Sequence, residues 1–213
     1  DKHWSRGLGD VYKRQHSLSR SRSRDLLPHL SDSEKEKWIV DKEEYFCNLA
    51  RSQIEPVQGL RELMTWIKQS GLKCAAVTNA PRPNAEMLLG GIRMADEFDL
   101  LVIANEEVWW SSASLSFSIL TSLSFSLSLL YKAHNKPHPE PYLAAMRKLG
   151  LQPEDCVALE DSPTGATAAV AAGVHTIGIL TSQTAEAMAA VGVKQCVGNY
   201  HELLREIEAA REK

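Results

Sequence analysis

The sequence lacks several features that would each point to a class of proteins. Basic residues are not in excess, since the formal net charge is −3, and this argues against a general nucleic-acid-binding protein. No apolar run approaches the roughly 18 to 20 residues that a membrane-spanning helix needs. The cysteines form no CxxC pair, which favours buried free thiols in a reducing compartment over disulfides. They are Cys47, Cys74, Cys156 and Cys196.

The remaining composition is that of a globular protein. Of the 213 residues, 44% are hydrophobic and 24% are charged, which is ordinary for a soluble domain. A chain of this length can form one domain with a substantial core and a small second domain.

The first 55 residues contain two kinds of sequence. Residues 1–24 show almost no apolar periodicity and end in alternating serine and arginine, which predicts a disordered tail. The piece "GDVYKRQ" looks like adapter sequence from library construction, so we expect this start to be non-native, with a phosphorylatable interaction tail as the alternative. Residues 25–55 predict an amphipathic helix, with Ser31 as its N-cap and acidic residues in its first turn.

Residues 56–107 and 136–213 alternate between helical and strand patterns. The segments "KCAAVTN", "FDLLVIA", "CVALED" and "HTIGIL" are short apolar runs, which is typical of parallel strands covered on both faces. The segments between them have helical periodicity, and Gly71 and Gly150 are placed to end two of these helices. The alternation predicts an α/β fold with a Rossmann-like, doubly wound parallel sheet over residues 56–213.

A Ser/Leu-rich insert at residues 108–135 interrupts this pattern. It carries almost no charge and follows no helical period. A structureless loop of this length is uncommon inside a compact α/β domain, and its apolar, uncharged profile is that of an aggregation-prone segment. We interpret it as a translated intron, and an inserted β-hairpin is the alternative.

Polar residues follow two of the predicted strands, and a lysine opens the segment after the insert. These residues are Thr78 and Asn79, Lys136, and the adjacent pair Glu160 and Asp161. Ligands of doubly wound folds bind beyond the carboxyl ends of the strands, so we expect these side chains to converge. A hydroxyl, an ammonium and two carboxylates would hold a phosphate together with Mg²⁺, and this cation would offset the repulsion between the carboxylates.

Each of these residues also has an ordinary structural interpretation. Lys136 alone would most simply be a solvated surface lysine, and Thr78 with Asn79 would be turn residues. Asp161 alone would be a helix N-cap. The three groups occur together beside a predicted sheet, and this combination favours the phosphate site. His138, which lies between two prolines, is expected to make a loop contact and not to act as a base.

These motifs resemble those of the haloacid-dehalogenase-like hydrolases, in particular the helical-cap branch of sugar-phosphate phosphatases and phosphoglucomutases. "VTNAP", "KPHPEPY" and "LEDSPTGATAAVAAG" resemble the second, third and fourth motifs of that family. The resemblance implies that Thr78 binds the transferring phosphoryl group and that Lys136 stabilises the phosphate charge. It implies that Asp161 ligates Mg²⁺ directly and that Glu160 supports the ion or its waters. Residues 25–55 resemble the last helices of the cap.

The first motif of the family, D-x-D-G-[TV], does not occur in this sequence. In the family its first Asp attacks phosphorus and its second acts as general acid and base. We therefore expect an N-terminally truncated chain that is inactive as written, with the strands that lead to Thr78 and Asp161 left as unpaired edges.

The resemblance implies a parent protein that is a Mg²⁺-dependent phosphomonoester hydrolase, acting on a small sugar phosphate or a similar metabolite. A phosphate-binding protein without catalysis and a phosphomutase are the alternatives. We expect a monomer with no nucleic-acid or membrane partner, located in the cytoplasm or alternatively in a plastid.

Overall fold

The computed structural model describes residues 29–51, 54–104 and 134–212. The predicted tail at 1–24 lies outside the described residues. So does the predicted insert at 108–135, except for its last two residues. The chain divides into two compact units, Asp1–Gln53 and Ile54–Lys213.

The described part of the first unit contains one helix, α1 (Asp32–Arg51). The helix begins where the sequence predicts. The backbone N–H of Glu34 donates to Oγ of Ser31 at 3.3 Å, and the N–H of Ser31 donates to Oε2 of Glu34 at 2.8 Å. This reciprocal pair is a capping box, which satisfies two donors at the helix start. The assignment of residues 25–55 to a helical cap stays a prediction.

The second unit alternates helices and strands as predicted. Its elements in chain order are α2 (Leu60–Gln69), β1 (Ala75–Thr78), α3 (Arg82–Gly91), β2 (Leu100–Ile103), α4 (Glu140–Leu149), β3 (Val157–Glu160), α5 (Pro163–Ala171), β4 (His175–Ile179), α6 (Ala185–Ala189), β5 (Gln195–Val197) and α7 (Tyr200–Arg211). Gly71 and Gly150 follow α2 and α4 with φ of 68° and 70°, a left-handed conformation that suits glycine. The predicted helix ends are thus confirmed.

The described strands form two parallel sheets. In the first sheet β1 pairs with β2, with Ala75 opposite Leu100 and Thr78 opposite Ile103. In the second sheet the order is β3-β4-β5, and both pairings are parallel. The sequence did not predict β5, because a strand of three residues with glutamine and cysteine carries too weak an apolar pattern.

Helices cover both faces of these sheets. In β2, Leu101 and Ile103 pack in a cluster with Ala85 of α3. Leu100 and Val102 point to the opposite face and pack with Ala145 of α4. Every residue of β2 is therefore buried, which explains its continuous apolar run and confirms the doubly wound arrangement.

Among the described residues, β1 and β3 are edge strands of the two sheets. There β1 pairs only with β2, and β3 pairs only with β4. All four residues of β1 are half-buried, whereas all four of β2 are buried. Val157, the first residue of β3, is 59% exposed. The expected unpaired edges stay a prediction, because residues 1–28 and 105–133 lie outside the described part of the chain.

The four cysteines are thiols and form no disulfide, as predicted. The prediction that they are buried is wrong, because each is only half-buried. Three of them lie at the border of a sheet: Cys74 and Cys156 precede β1 and β3, and Cys196 lies in the described edge strand β5.

Membrane insertion through a helix was not expected. Within the described ranges, no helix combines the length and the apolar character that crossing a bilayer requires.

Candidate phosphate site

Three separate segments of the second unit meet around Lys136. Asn79 follows β1, Lys136 lies in the turn before α4, and Glu160 is the last residue of β3. Hydrogen bonds join Lys136 to both of the other residues. The predicted convergence is therefore observed for these three positions, and it links β1 of the first sheet with β3 of the second.

The side chain of Asn79 holds the backbone of Lys136 at both of its polar groups. The backbone N–H of Lys136 donates to Oδ1 of Asn79 at 3.0 Å, and Nδ2 of Asn79 donates to the carbonyl oxygen of Lys136 at 3.1 Å. The amide thus fixes the position of the lysine. The predicted contact between Asn79 and phosphate stays a prediction.

The Glu160 carboxylate forms a buried ion pair with Lys136. Nζ of Lys136 lies 2.5 Å from Oε1 of Glu160, and the two side chains are only 10% and 7% exposed. The hydroxyl of Tyr142, in the first turn of α4, donates to the same carboxylate oxygen. A lysine and a tyrosine therefore offset the charge of Glu160, where the sequence had suggested a metal ion.

The backbone of Gly165 closes the other side of the Glu160 pocket. A Cβ atom at position 165 would lie 1.9 Å from Oε2 and 2.2 Å from Cδ of Glu160. Only glycine leaves room for a carboxylate this close to the first turn of α5. The residue is buried, and its N–H donates to Oγ of Ser162 at 3.1 Å.

The Asp161 carboxylate differs from that of Glu160, because the described residues offer it no hydrogen bond and no ion pair. Its backbone oxygen accepts a hydrogen bond from the hydroxyl of Ser182 at 3.3 Å. Ser162, not Asp161, is the N-cap of α5. The N-cap interpretation of Asp161 is thus excluded, and its half-buried carboxylate remains available for a cation or for water.

The Thr78 hydroxyl lies at the end of β1, next to Asn79. Its oxygen accepts a hydrogen bond from the backbone N–H of Ala80 at 3.0 Å. The hydroxyl proton is therefore left to donate to another group, such as an anionic oxygen.

Two tyrosines near the carboxylates of Glu160 and Asp161 have raised pKa values. Burial, together with the charge of Glu160 and the hydrogen bond to it, raises the pKa of Tyr142 well above its usual range. Burial and the charges of Asp161 and Glu160 raise the pKa of Tyr200 to about 12. Both phenols therefore stay protonated at neutral pH.

His138 makes a loop contact, as expected. Its Nδ1 accepts a hydrogen bond from the backbone N–H of Glu140 at 3.1 Å, and its ring stacks on His134 with 4.0 Å between centroids.

A magnesium ion fits the donors of this site only in part. Within the described ranges, no three acidic, histidine or cysteine side chains gather closely enough to form a metal cluster. Mg²⁺ is often held by one or two carboxylates, with waters and a substrate phosphate as its other ligands. Asp161 fits the role of such a single carboxylate, whereas Glu160 already accepts from Lys136 and Tyr142.

Sequence reasoning gave no role in this site to two of its residues, Tyr142 and Gly165, although it placed Gly165 in the loop after Asp161. In the sequence Tyr142 is one apolar position of an amphipathic helix, and nothing there indicates that its hydroxyl reaches Glu160. Gly165 did carry a usable signal, because a glycine in the first turn of a helix lowers helix stability and needs a local reason.

Comparison with known proteins identifies the family. The family model described as haloacid dehalogenase-like hydrolase matches residues 8–173, which is more than half of the chain. Validoxylamine A 7'-phosphate phosphatase of Streptomyces hygroscopicus subsp. limoneus is 28% identical over 137 residues, which are 64% of this chain and 53% of that protein. Hexitol phosphatase B of Escherichia coli K12 is 32% identical over 119 residues, which are 56% of this chain and 42% of that protein.

A solved structure shares the fold. The β-phosphoglucomutase of Clostridium difficile superposes with a TM-score of 0.67 at 19% identity, over 97% of this chain and 85% of that one. The chain spans about half the length of the curated relatives it matches. From the extent of the family match, and in agreement with the fold, the chain belongs to the haloacid dehalogenase-like hydrolase family.

Proposed function

We propose that this chain is part of a Mg²⁺-dependent phosphomonoester hydrolase that acts on a small sugar phosphate. The observation that carries the proposal is the arrangement around Lys136: its backbone is bound by Asn79, its ammonium lies at Glu160, and the next carboxylate, that of Asp161, has no described partner. Two relatives are named as phosphatases of a validoxylamine phosphate and of hexitol phosphates, which supports this substrate class.

Each residue has a separate role in the proposed chemistry. The Thr78 hydroxyl donates a hydrogen bond to an oxygen of the phosphate, and the Lys136 ammonium neutralises the charge of the transferring group. Asp161 holds the magnesium ion directly, and Glu160 supports the site by orienting Lys136. When bound, magnesium supplies further positive charge at the phosphate oxygens.

A second function is favoured by one specific observation, the lack of any Asp-x-Asp pair in the 213 residues. Without the nucleophilic Asp that the family uses, the same residues would bind a phosphorylated metabolite and release no phosphate. Residues that act as a catalytic unit lose most of their effect when one member is removed.

Two measurements separate the two functions. In the first, the purified chain is incubated with Mg²⁺ and a panel of hexitol and hexose phosphates, released phosphate is measured, and binding of inorganic phosphate is measured in parallel by isothermal titration calorimetry. Turnover that requires Mg²⁺ would support the hydrolase, whereas binding without turnover supports the phosphate site that both proposals share. In the second, peptide mass spectrometry of the protein from its source then decides: a D-x-D-G peptide supports the hydrolase, and its absence supports the phosphate-binding protein. If the folded chain neither binds phosphate nor releases it, both proposals are wrong.

The expected monomer and the expected cytoplasmic location stay predictions. Size-exclusion chromatography with light scattering would test the first of them.

A further inference from the structure

The Glu160 carboxylate receives two hydrogen bonds on a single oxygen. Lys136 Nζ and the Tyr142 hydroxyl both donate to Oε1. The two donors also contact each other, because Nζ of Lys136 lies 5.1 Å from the centroid of the Tyr142 ring. The ammonium therefore lies between a carboxylate and an aromatic face, both of which favour its positive charge.

The carboxylate itself has little freedom to move. Its Cδ and Oε2 atoms lie so close to the backbone of Gly165 that a Cβ atom there would overlap them. The Glu160 side chain is also only 7% exposed. If Lys136 turned toward another anion, Glu160 could not follow it.

The lysine can move only through its side chain. Asn79 fixes the backbone of Lys136 through both its N–H and its carbonyl oxygen. The side chain is flexible, and its ammonium has three protons, so it can reorient toward an anion near Thr78. That movement would remove one of the two donors from a buried carboxylate, and a buried charge without a partner is strongly unfavourable.

We propose that Tyr142 is a positioning residue, which holds the Glu160 carboxylate in place when Lys136 turns from it to a bound phosphate. The proposal rests on the proposed function, because it assumes that phosphate binds near Lys136. Tyr142 keeps the charge of Glu160 satisfied, so that the ammonium can be shared with the incoming anion.

The first test compares two tyrosine variants for binding of inorganic phosphate in the presence of Mg²⁺. Tyr142→Phe removes the hydroxyl that contacts Glu160, and Tyr200→Phe removes a second half-buried hydroxyl near the same charges, for which no hydrogen bond to Glu160 is found. We expect Tyr142→Phe to weaken phosphate binding by about tenfold, the size of one hydrogen bond to a charged group. Tyr200→Phe should stay within about twofold of the unsubstituted chain. Equal affinities for the two variants would overturn the proposal.

The second test needs no phosphate and uses a double-mutant cycle on unfolding by urea. Tyr142→Phe, Lys136→Met and the double variant are compared with the unsubstituted chain. If Tyr142 and Lys136 share Glu160, the double variant loses more stability than the two single losses added together. Additive losses would assign Tyr142 a packing role only, and the proposal would be wrong.

If Lys136→Met does not fold, the effect of Tyr142→Phe on stability is measured instead in a chain that carries Glu160→Gln. Glu160→Gln removes the negative charge that both donors contact, so Tyr142→Phe should cost less stability there than in the unsubstituted chain. An equal cost in the two backgrounds would refute the role of Tyr142. The double-mutant cycle can show non-additive losses while the chain binds no phosphate. This result would contradict the proposed function, but it would still support the contact between Tyr142 and Glu160.

Discussion

The close approach of Gly165 to Glu160 gives a prediction about Gly165→Ala. Substitution of alanine for glycine inside a helix ordinarily stabilises it by up to about 1 kcal/mol. Gly165 lies in the first turn of α5, so propensity alone predicts a more stable protein. The contacts predict the reverse, because the added Cβ would lie 1.9 Å from a carboxylate oxygen of Glu160.

The magnitude follows from what must move. The clash is with the end of a side chain, so the helix backbone can stay in place and Glu160 must leave its pocket. It then loses its bonds to Lys136 and Tyr142, both of which lie on the displaced carboxylate. Loss of the two hydrogen bonds to this charged group costs about 3 to 6 kcal/mol, and about 1 kcal/mol of helix propensity is gained. The net expected loss is about 2 to 5 kcal/mol of unfolding free energy.

Urea denaturation followed by circular dichroism measures this difference, and Gly90→Ala is the matched control. Gly90 also lies in a helix, α3, and a Cβ atom there would meet no atom within 4 Å. The control should be neutral or more stable by up to about 1 kcal/mol. If Gly165→Ala proves as stable as Gly90→Ala, the close packing of Glu160 against α5 does not exist in the protein.

Three further predictions concern the metal, a helix cap and a thiol. Asp161→Asn should weaken Mg²⁺ binding, measured by calorimetry, at least about tenfold without altering the circular dichroism spectrum. The control is Asp155→Asn, a substitution of an exposed aspartate before β3, which should leave Mg²⁺ binding unchanged. Equal effects of the two substitutions would refute the metal assignment. The side chain of Asn199 accepts a hydrogen bond from the N–H of Glu202 at 3.0 Å at the start of α7. Asn199→Ala should therefore lower the unfolding free energy, measured in urea, by about 1 kcal/mol. An unchanged unfolding free energy would contradict the role of Asn199 as a helix cap. Burial and a nearby carboxylate raise the pKa of the Cys74 thiol from 9.0 to about 11, so the folded state holds this proton more tightly than the unfolded one. The resulting stability is present below pH 9 and is lost as the pH rises toward 11, and Cys74→Ala should flatten the measured pH dependence of unfolding in that window.

Much of the fold could be predicted from the sequence, because its signals are local. The apolar run "FDLLVIA" indicates a strand buried on both faces, and β2 is buried at every residue. Glycines past the ends of two helices mark their termini, and both have positive φ. The strand β5 was missed, since three residues with one strongly apolar member give no pattern that distinguishes a strand from a loop.

The site was predicted less completely, since its contacts join distant parts of the chain. Motif spacing brought Lys136 and Glu160 to one edge of the sheet, but it did not show that the ammonium binds this carboxylate directly. That contact spans 24 positions and depends on how α4 packs on the sheets. The proposed role of Tyr142 depends on the direction of its hydroxyl, and the periodicity of apolar residues in a sequence does not predict that direction.

The pairing of Asn79 with the backbone of Lys136 also makes one distant residue responsible for the placement of the lysine. A side-chain amide here forms the two hydrogen bonds that a neighbouring strand would otherwise supply. The position of the Lys136 backbone therefore depends on a residue that lies 57 positions earlier in the chain, directly after β1. Substitution of Asn79 by alanine, a change of a few atoms, would release that backbone.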